Sequence, residues 1–138
     1  MIPRYSRKEL VEIWEPKNKY KIWLQIEILA CEAQAKLGLI PKQSLKVIKE
    51  KANFEIERIE QIESEVKHDV IAFLTNLSEY IGADSRFIHQ GMTSSDILDT
   101  CLSVQLKQSC TLIKQELQEL ILILKNKALK YKLTPCIG

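Results

Sequence analysis

Apolar positions recur every three or four residues along almost the whole chain, and this spacing predicts helices rather than strands. Leu10, Ile13 and Trp14 make a first short segment. It is opened by Ser6-Arg7-Lys8-Glu9, which has the serine-to-glutamate spacing of a capping box. Pro16 is expected to end it, because the residue before a proline is pushed away from helical angles. Ile22, Ile26, Leu29, Ala30, Ala33 and Leu37 share one face of a second helix, expected over residues 18–37. Gly38 suits the position just past that helix, and Pro41 suits the first turn of the next. Leu45, Ile48 and Ala52 mark a helix over residues 42–51, and Ile56, Ile59 and Ile62 another over residues 55–64. Val70, Phe73, Leu74, Leu77 and Ile81 define an amphipathic helix within residues 66–82, with Asp69 expected as its N-cap and Gly82 as its close.

Residues 82–92 read as a loop. From Thr93 the pattern stays helical to about Lys130, roughly 55 Å of helix at ~1.5 Å per residue. Leu102, Leu106, Ile113, Leu117, Leu120 and Leu124 form a near-heptad stripe along it. Residues 120–124, Leu-Ile-Leu-Ile-Leu, are apolar on every side, so this part is expected to be buried all round, against partner helices outside this chain. Pro135 and Gly138 are expected to stop the helix. With no internal repeat, no low-complexity tract and no convincing strand, the fold class is all-α. The expected division is a small helical domain over residues 1–92, carrying the polar loops, and the first long helix of a bundle over residues 93–138.

The length suits about one domain, and 46% apolar with 28% charged residues is ordinary for a globular protein. A net charge of +2 gives no case for a nucleic-acid or membrane partner. The longest aliphatic run is residues 120–124, far short of the roughly 20 needed to span a bilayer. The opening M-I-P-R-Y-S-R-K-E is charged at once and does not read as a secretory signal, so a cytoplasmic location is expected. Cys31, Cys101, Cys110 and Cys136 lack ligand or redox spacing and read as free thiols, with no disulfide and no metal.

Three polar clusters stand at helix starts or in the N-terminal arm. Residues 86–100, R-F-I-H-Q-G-M-T-S-S-D-I-L-D-T, place a histidine, a glycine and three hydroxyls at the start of the long helix. Thr93 or Ser94 can cap the first turn, with Asp96 as the acid of a capping box. The same helix start, with its unpaired N–H groups and partial positive charge, suits a carboxylate or phosphate. Lys67-His68-Asp69 stands at another helix start, where cation, imidazole and carboxylate can charge one another or hold an anion. Arg4 and Tyr5 sit in a short N-terminal arm. Taken singly, each cluster also reads as a plain cap or a solvated arm.

Taken in order, Arg4-Tyr5, I-W-E-P at 13–16, K-H-D-V-I-A-F from Lys67, H-Q-G-M-T-S-S-D-I-L-D-T at 89–100 and T-P-C-I-G at 134–138 resemble adenylosuccinate lyases of the fumarase/aspartase superfamily. The resemblance runs along the whole chain. It implies a cofactor-free, cytoplasmic homotetramer of purine biosynthesis, with active sites built from three subunits around a helical bundle. The reaction implied splits adenylosuccinate to AMP and fumarate, and the related succinyl-carboxamide ribotide likewise, by β-elimination. Carried onto this sequence, Arg4 and Tyr5 would hold the nucleotide phosphate. Lys67, His68 and Asp69 would line the nucleotide pocket, with His68 in a supporting catalytic role. Thr93 and Ser94 would bind a succinyl carboxylate, and His89 would be a further substrate-binding residue. Asp96 and Asp99 would be structural.

In this family an R-[ST]-H-G loop carrying the general acid follows I-G, and a mobile serine loop supplies the base farther on. The resemblance therefore implies an N-terminal third, inactive as a lyase alone. A carboxymuconate-cycloisomerase branch shares the T-S-x-D stretch and is the nearest enzymatic alternative. A non-enzymatic helical interaction module is the other.

Overall fold

The computed structural model describes residues 2–135 and residue 137. Cys136 and Gly138, read above as a free thiol and part of a helix stop, lie outside the described residues, as does Met1. Six helices follow one another: α1 (Lys8–Trp14), α2 (Pro16–Lys36), α3 (Lys42–Lys51), α4 (Ile56–Val66), α5 (Asp69–Ile81) and α6 (Ser94–Tyr131). Single 3-10 segments occupy Pro3–Tyr5 and Gly82–Phe87, and no strand occurs among the described residues. The all-α expectation holds.

α2 is the central element, packed against α1, α3, α4 and α6. Its inward side is Tyr20, Trp23, Glu27, Cys31 and Ala35, spaced three or four residues apart. This corrects the expected face. Ile22 is buried and Ile26 and Ala30 are partly buried, but Leu29, Ala33 and Leu37 are exposed. The aromatic positions win because they complete one cluster with α5. The Tyr20 ring stacks on Phe73 at 5.7 Å between centroids, and Trp23 meets both rings edge-on. Ile48, Ile59, Val70, Leu77 and Ile97 close around them. Truncating a fully buried ring such as Phe73 to alanine costs about 3–5 kcal/mol by cavity formation.

The helix ends show where local chemistry differs from the pattern. Ser6 does not cap α1; its hydroxyl donates 2.8 Å to the carbonyl of Ile2, and Arg7 takes the N-cap position without a side-chain cap bond. Glu9 turns to the Arg7 guanidinium at 3.3 Å, so both halves of the expected box are otherwise engaged. Pro16 does more than end α1. It is the first residue of α2, where its missing N–H costs nothing, so α2 starts two residues before the expected Asn18. α2 closes as expected at Gly38, whose φ of +78° lets Leu39 N–H reach Gln34 O (2.9 Å) and Gly38 N–H reach Ala35 O (3.2 Å). α5 is capped by His68, not Asp69.

α6 crosses the body through Ile97, Cys101, Gln105 and Ser109, one residue every four. Beyond Glu116, which still reaches Arg7 of α1, it leaves the body. Its stripe residues Leu102, Leu106, Ile113, Leu117, Leu120 and Leu124 are all exposed, as is every residue from Leu120 to Leu124. The burial expected for 120–124 is not supplied within this chain. Among the described residues, no helix is long and apolar enough to cross a membrane.

Candidate functional site

The loop before α6 is held by one face of α2. Three of its side chains, at positions i, i+4 and i+7, reach the loop in register. Glu27, 1% exposed, accepts the His89 backbone N–H on Oε2 at 2.9 Å, and its Oε1 lies 2.7 Å from His89 Nδ1. The Cys31 thiol donates to Phe87 O at 3.7 Å, and burial, reinforced by the Glu27 charge, pushes it up to about 11, so it stays protonated as a donor. Gln34 Nε2 donates to Gln90 O at 2.7 Å. The clamp fixes a demanding backbone. His89 sits at φ +60°, a left-handed conformation costing roughly 1–2 kcal/mol for a residue with a Cβ, and Gly91 follows at φ +69°.

That loop delivers the chain to the N-terminus of α6. Thr93 is the N-cap in extended conformation, and its N–H donates 2.8 Å to Asp96 Oδ2, the acid half of a capping box. Ser94 is the first helical residue. The N–H groups of Ser94 and Ser95 belong to the first turn, which has no intrahelical acceptors for them. Thr93 is exposed and Ser94 half-buried, so the start of α6 is open to solvent. Here helix cap and potential anion cradle coexist.

Lys67, His68 and Asp69 form the corner between α4 and α5. Lys67 turns the chain in left-handed conformation (φ 56°, ψ 33°), and its N–H closes α4 on Glu63 O at 2.8 Å. His68 is extended, and its Nδ1 accepts the Ile71 N–H at 3.4 Å. The same nitrogen lies 3.6 Å from Asp69 Oδ1, so a proton there would trade the cap for an ion pair. The Tyr20 phenol lies beneath this acidic corner. Burial, then Glu63, Asp69 and Glu60, raise it to about 12 and keep it neutral.

Arg4 and Tyr5 occupy the exposed N-terminal 3-10 turn, with the guanidinium 4.7 Å from the ring centroid of its neighbour. The structure thus brings His89, Thr93 and Ser94 together on one continuous segment, and Lys67, His68 and Asp69 at one corner. Among the described residues, no hydrogen bond or ion pair links these two groups or joins either to Arg4 and Tyr5.

Residues 4–138 match the family described as Lyase. The chain belongs to the lyase family. All 138 residues align at 46% identity with an adenylosuccinate lyase of Bacillus subtilis and at 48% with that of Synechocystis sp., in each case spanning 32% of the relative's length. The chain therefore covers about a third of these relatives. In shape it is similar to the β-carboxy-cis,cis-muconate cycloisomerase of Acinetobacter calcoaceticus sp. ADP1, with a TM-score of 0.74 and 22% identity, over 81% of this chain and 28% of that one. At that identity the likeness is one of fold.

Reading the sequence missed Glu27, Cys31 and Gln34, the residues that hold the loop. One signal was present for Glu27: an acid flanked by Tyr20, Trp23 and Cys31 on one helical face lies where a solvated carboxylate does not belong.

Proposed function

We propose that this chain is the N-terminal third of an adenylosuccinate lyase, which cleaves adenylosuccinate to AMP and fumarate in purine nucleotide synthesis. The observation that carries the reading is identity of 46–48% over every residue of the chain to two enzymes of that name. The cycloisomerase alternative has only a shared fold behind it, and an interaction module gives no reason for polar clusters at helix starts.

On this reading residues 1–92 form a domain carrying substrate loops, and residues 93–138 begin the bundle of a cytoplasmic homotetramer. The substrate carries two carboxylates and a phosphate, so its site needs many donors. Thr93, Ser94 and the first turn of α6 take a succinyl carboxylate, Arg4 and Tyr5 take the phosphate, and Lys67, His68 and Asp69 line the nucleotide pocket. His89 is a further contact, and His68 supports the chemistry. Elimination removes a proton beside a carboxylate, stabilises the carbanion as a doubly charged carboxylate and protonates the leaving nitrogen. The principal acid and base come from segments outside residues 1–138.

An assay of fumarate release from adenylosuccinate tests this. The full-length protein is expected to turn over, and the 138-residue chain alone is not. A full-length protein that leaves adenylosuccinate intact would end the proposal.

A further inference from the structure

We propose that Glu27 is a positioning residue for His89, fixing the rotation and tautomer of its ring so that Nε2 is the nitrogen offered to substrate. The proposal rests on the reading of His89 as a substrate contact. Glu27 is 1% exposed, and both carboxylate oxygens are spent on this one residue: Oε2 accepts the backbone N–H at 2.9 Å and Oε1 lies 2.7 Å from Nδ1. An ionised carboxylate only accepts, so the facing Nδ1 carries the hydrogen. A buried carboxylate without donors is costly, and among the described residues these two are the ones it has.

The consequences fall on the opposite edge of the ring. Among the described residues Nε2 makes no hydrogen bond, and the side chain keeps 20% of its surface open. A histidine serving packing alone would not need a fixed tautomer with one edge left uncovered. With Nδ1–H committed to Glu27, a neutral ring offers a lone pair at Nε2 and a protonated ring offers Nε2–H. An anionic group of the substrate selects the second form. The Cys31 and Gln34 contacts hold the strained backbone, with His89 at φ +60°, while Glu27 sets the ring.

The test is a double-mutant cycle in the full-length protein with E27Q, H89A and both together. In E27Q the side-chain carbonyl can still accept the backbone N–H, but the new amide donates to Nδ1 and moves the ring hydrogen to Nε2. The expected loss in kcat/KM for E27Q is roughly 10- to 100-fold, by analogy with a metal-bound histidine that loses its orienting partner. In the H89A background the same change is expected to add less than about 2-fold. A loss that persists undiminished beside H89A would show that Glu27 acts on the fold, not through His89, and would overturn the proposal; so would E27Q with wild-type kinetics. Should E27Q fail to fold, E27D enters the same cycle with the same expectations.

A second measurement needs no turnover. Diethyl pyrocarbonate acylates the bare nitrogen of a neutral imidazole, so at mildly alkaline pH the His89 peptide of E27Q is expected to be modified several-fold more slowly than that of the wild type, with His68 as internal reference. Equal rates would overturn the proposal. Inactivity of the wild-type protein toward adenylosuccinate would instead count against the proposed function and leave this measurement to decide the role of Glu27.

Discussion

Gln105 Nε2 donates to the carbonyl oxygen of Ile13 at 2.8 Å, across a sequence separation of 92 residues. The acceptor sits in the last turn of α1, whose carbonyls have no intrahelical donors. Asn18 Nδ2, from the start of α2, reaches the same oxygen at 2.8 Å and also donates to Gln108 at 3.0 Å. Three helices are thereby tied at one atom, and α6 is held at a defined height on the body. Gln105→Glu puts a second acceptor against that carbonyl inside the packed face. The expected cost is about 1–3 kcal/mol, the penalty of a buried polar group left without its partner. Gln105→Met, which removes the donor but keeps the shape and leaves Asn18 in place, is expected to cost less. Thermal melting of the two full-length variants measures the order, and a glutamate variant as stable as the methionine one would argue against this contact.

At the start of α6, Thr93 is both N-cap and candidate ligand, whereas Asp96 serves the cap alone. Thr93 is exposed and Ser94 half-buried, whereas the Asp96 carboxylate is committed to the Thr93 N–H. On the proposed function, alanine at Thr93 and Ser94 together is expected to lower kcat/KM of the full-length protein by about 2–4 kcal/mol of transition-state stabilisation. Asp96→Ala is expected to act on stability, by about 0.5–2 kcal/mol, as a lost helix cap does. Steady-state kinetics beside melting curves distinguish the two. Unchanged kinetics in the Thr93/Ser94 variant would remove the carboxylate-binding role.

Acid sensitivity has a defined origin in the ion pairs between helices. The Arg58 guanidinium, then Asn76, hold Glu79 below the usual 4.5, and Lys49 does the same for Glu32. Arg7, at the start of α1, likewise lowers Glu116 of α6 through a 2.8 Å contact. A carboxylate whose pKa is lowered by folding adds stability above its unfolded value and loses it as pH falls through the lowered one. The wild-type protein is therefore expected to lose its advantage over Glu79→Gln below about pH 4.5, with the two melting alike in stronger acid. These groups are exposed, so the advantage is small and salt weakens it. A gap between the two that stays constant from neutral to acid pH would contradict the assignment.

The helices were legible because their signals are local: three- and four-residue spacing, Pro and Gly at ends, and an N-cap with an acid three residues on at Thr93. What escaped depends on partners distant in sequence. Glu27 meets His89 62 positions away, and no spacing rule reports that. The Ser6 box failed because Ile2 O and Arg7 offered its two side chains nearer partners. Leu29 and Leu37 fit a helical stripe as well as Tyr20 and Trp23 do. The rings of Phe73, supplied by α5, and Phe54 meet Tyr20 and turn that face inward. For the candidate site the types and order of residues were visible, and the scaffold that orients them was not.

The outer half of α6 carries the last prediction. Ile113, Leu117, Leu120, Ile121, Leu122, Ile123 and Leu124 are each about half exposed or more, from 48% to 61%, on a helix about 57 Å long. A contiguous apolar surface of this kind is rare on a monomer and marks an interaction face. The near-heptad order of Ile113, Leu117, Leu120 and Leu124 suits side chains inserting between those of neighbouring helices. Leu117→Glu with Leu124→Glu places two carboxylates on that seam, where desolvation without partners is prohibitive. The full-length variant is expected to sediment as smaller species than the wild type. Residues 97–109, which dock on the body by a different face, keep the N-terminal helices folded, so helical circular dichroism is largely retained. A variant that sediments as the wild type does would mean that these leucines face solvent in the assembled protein, and the bundle role of α6 would fall.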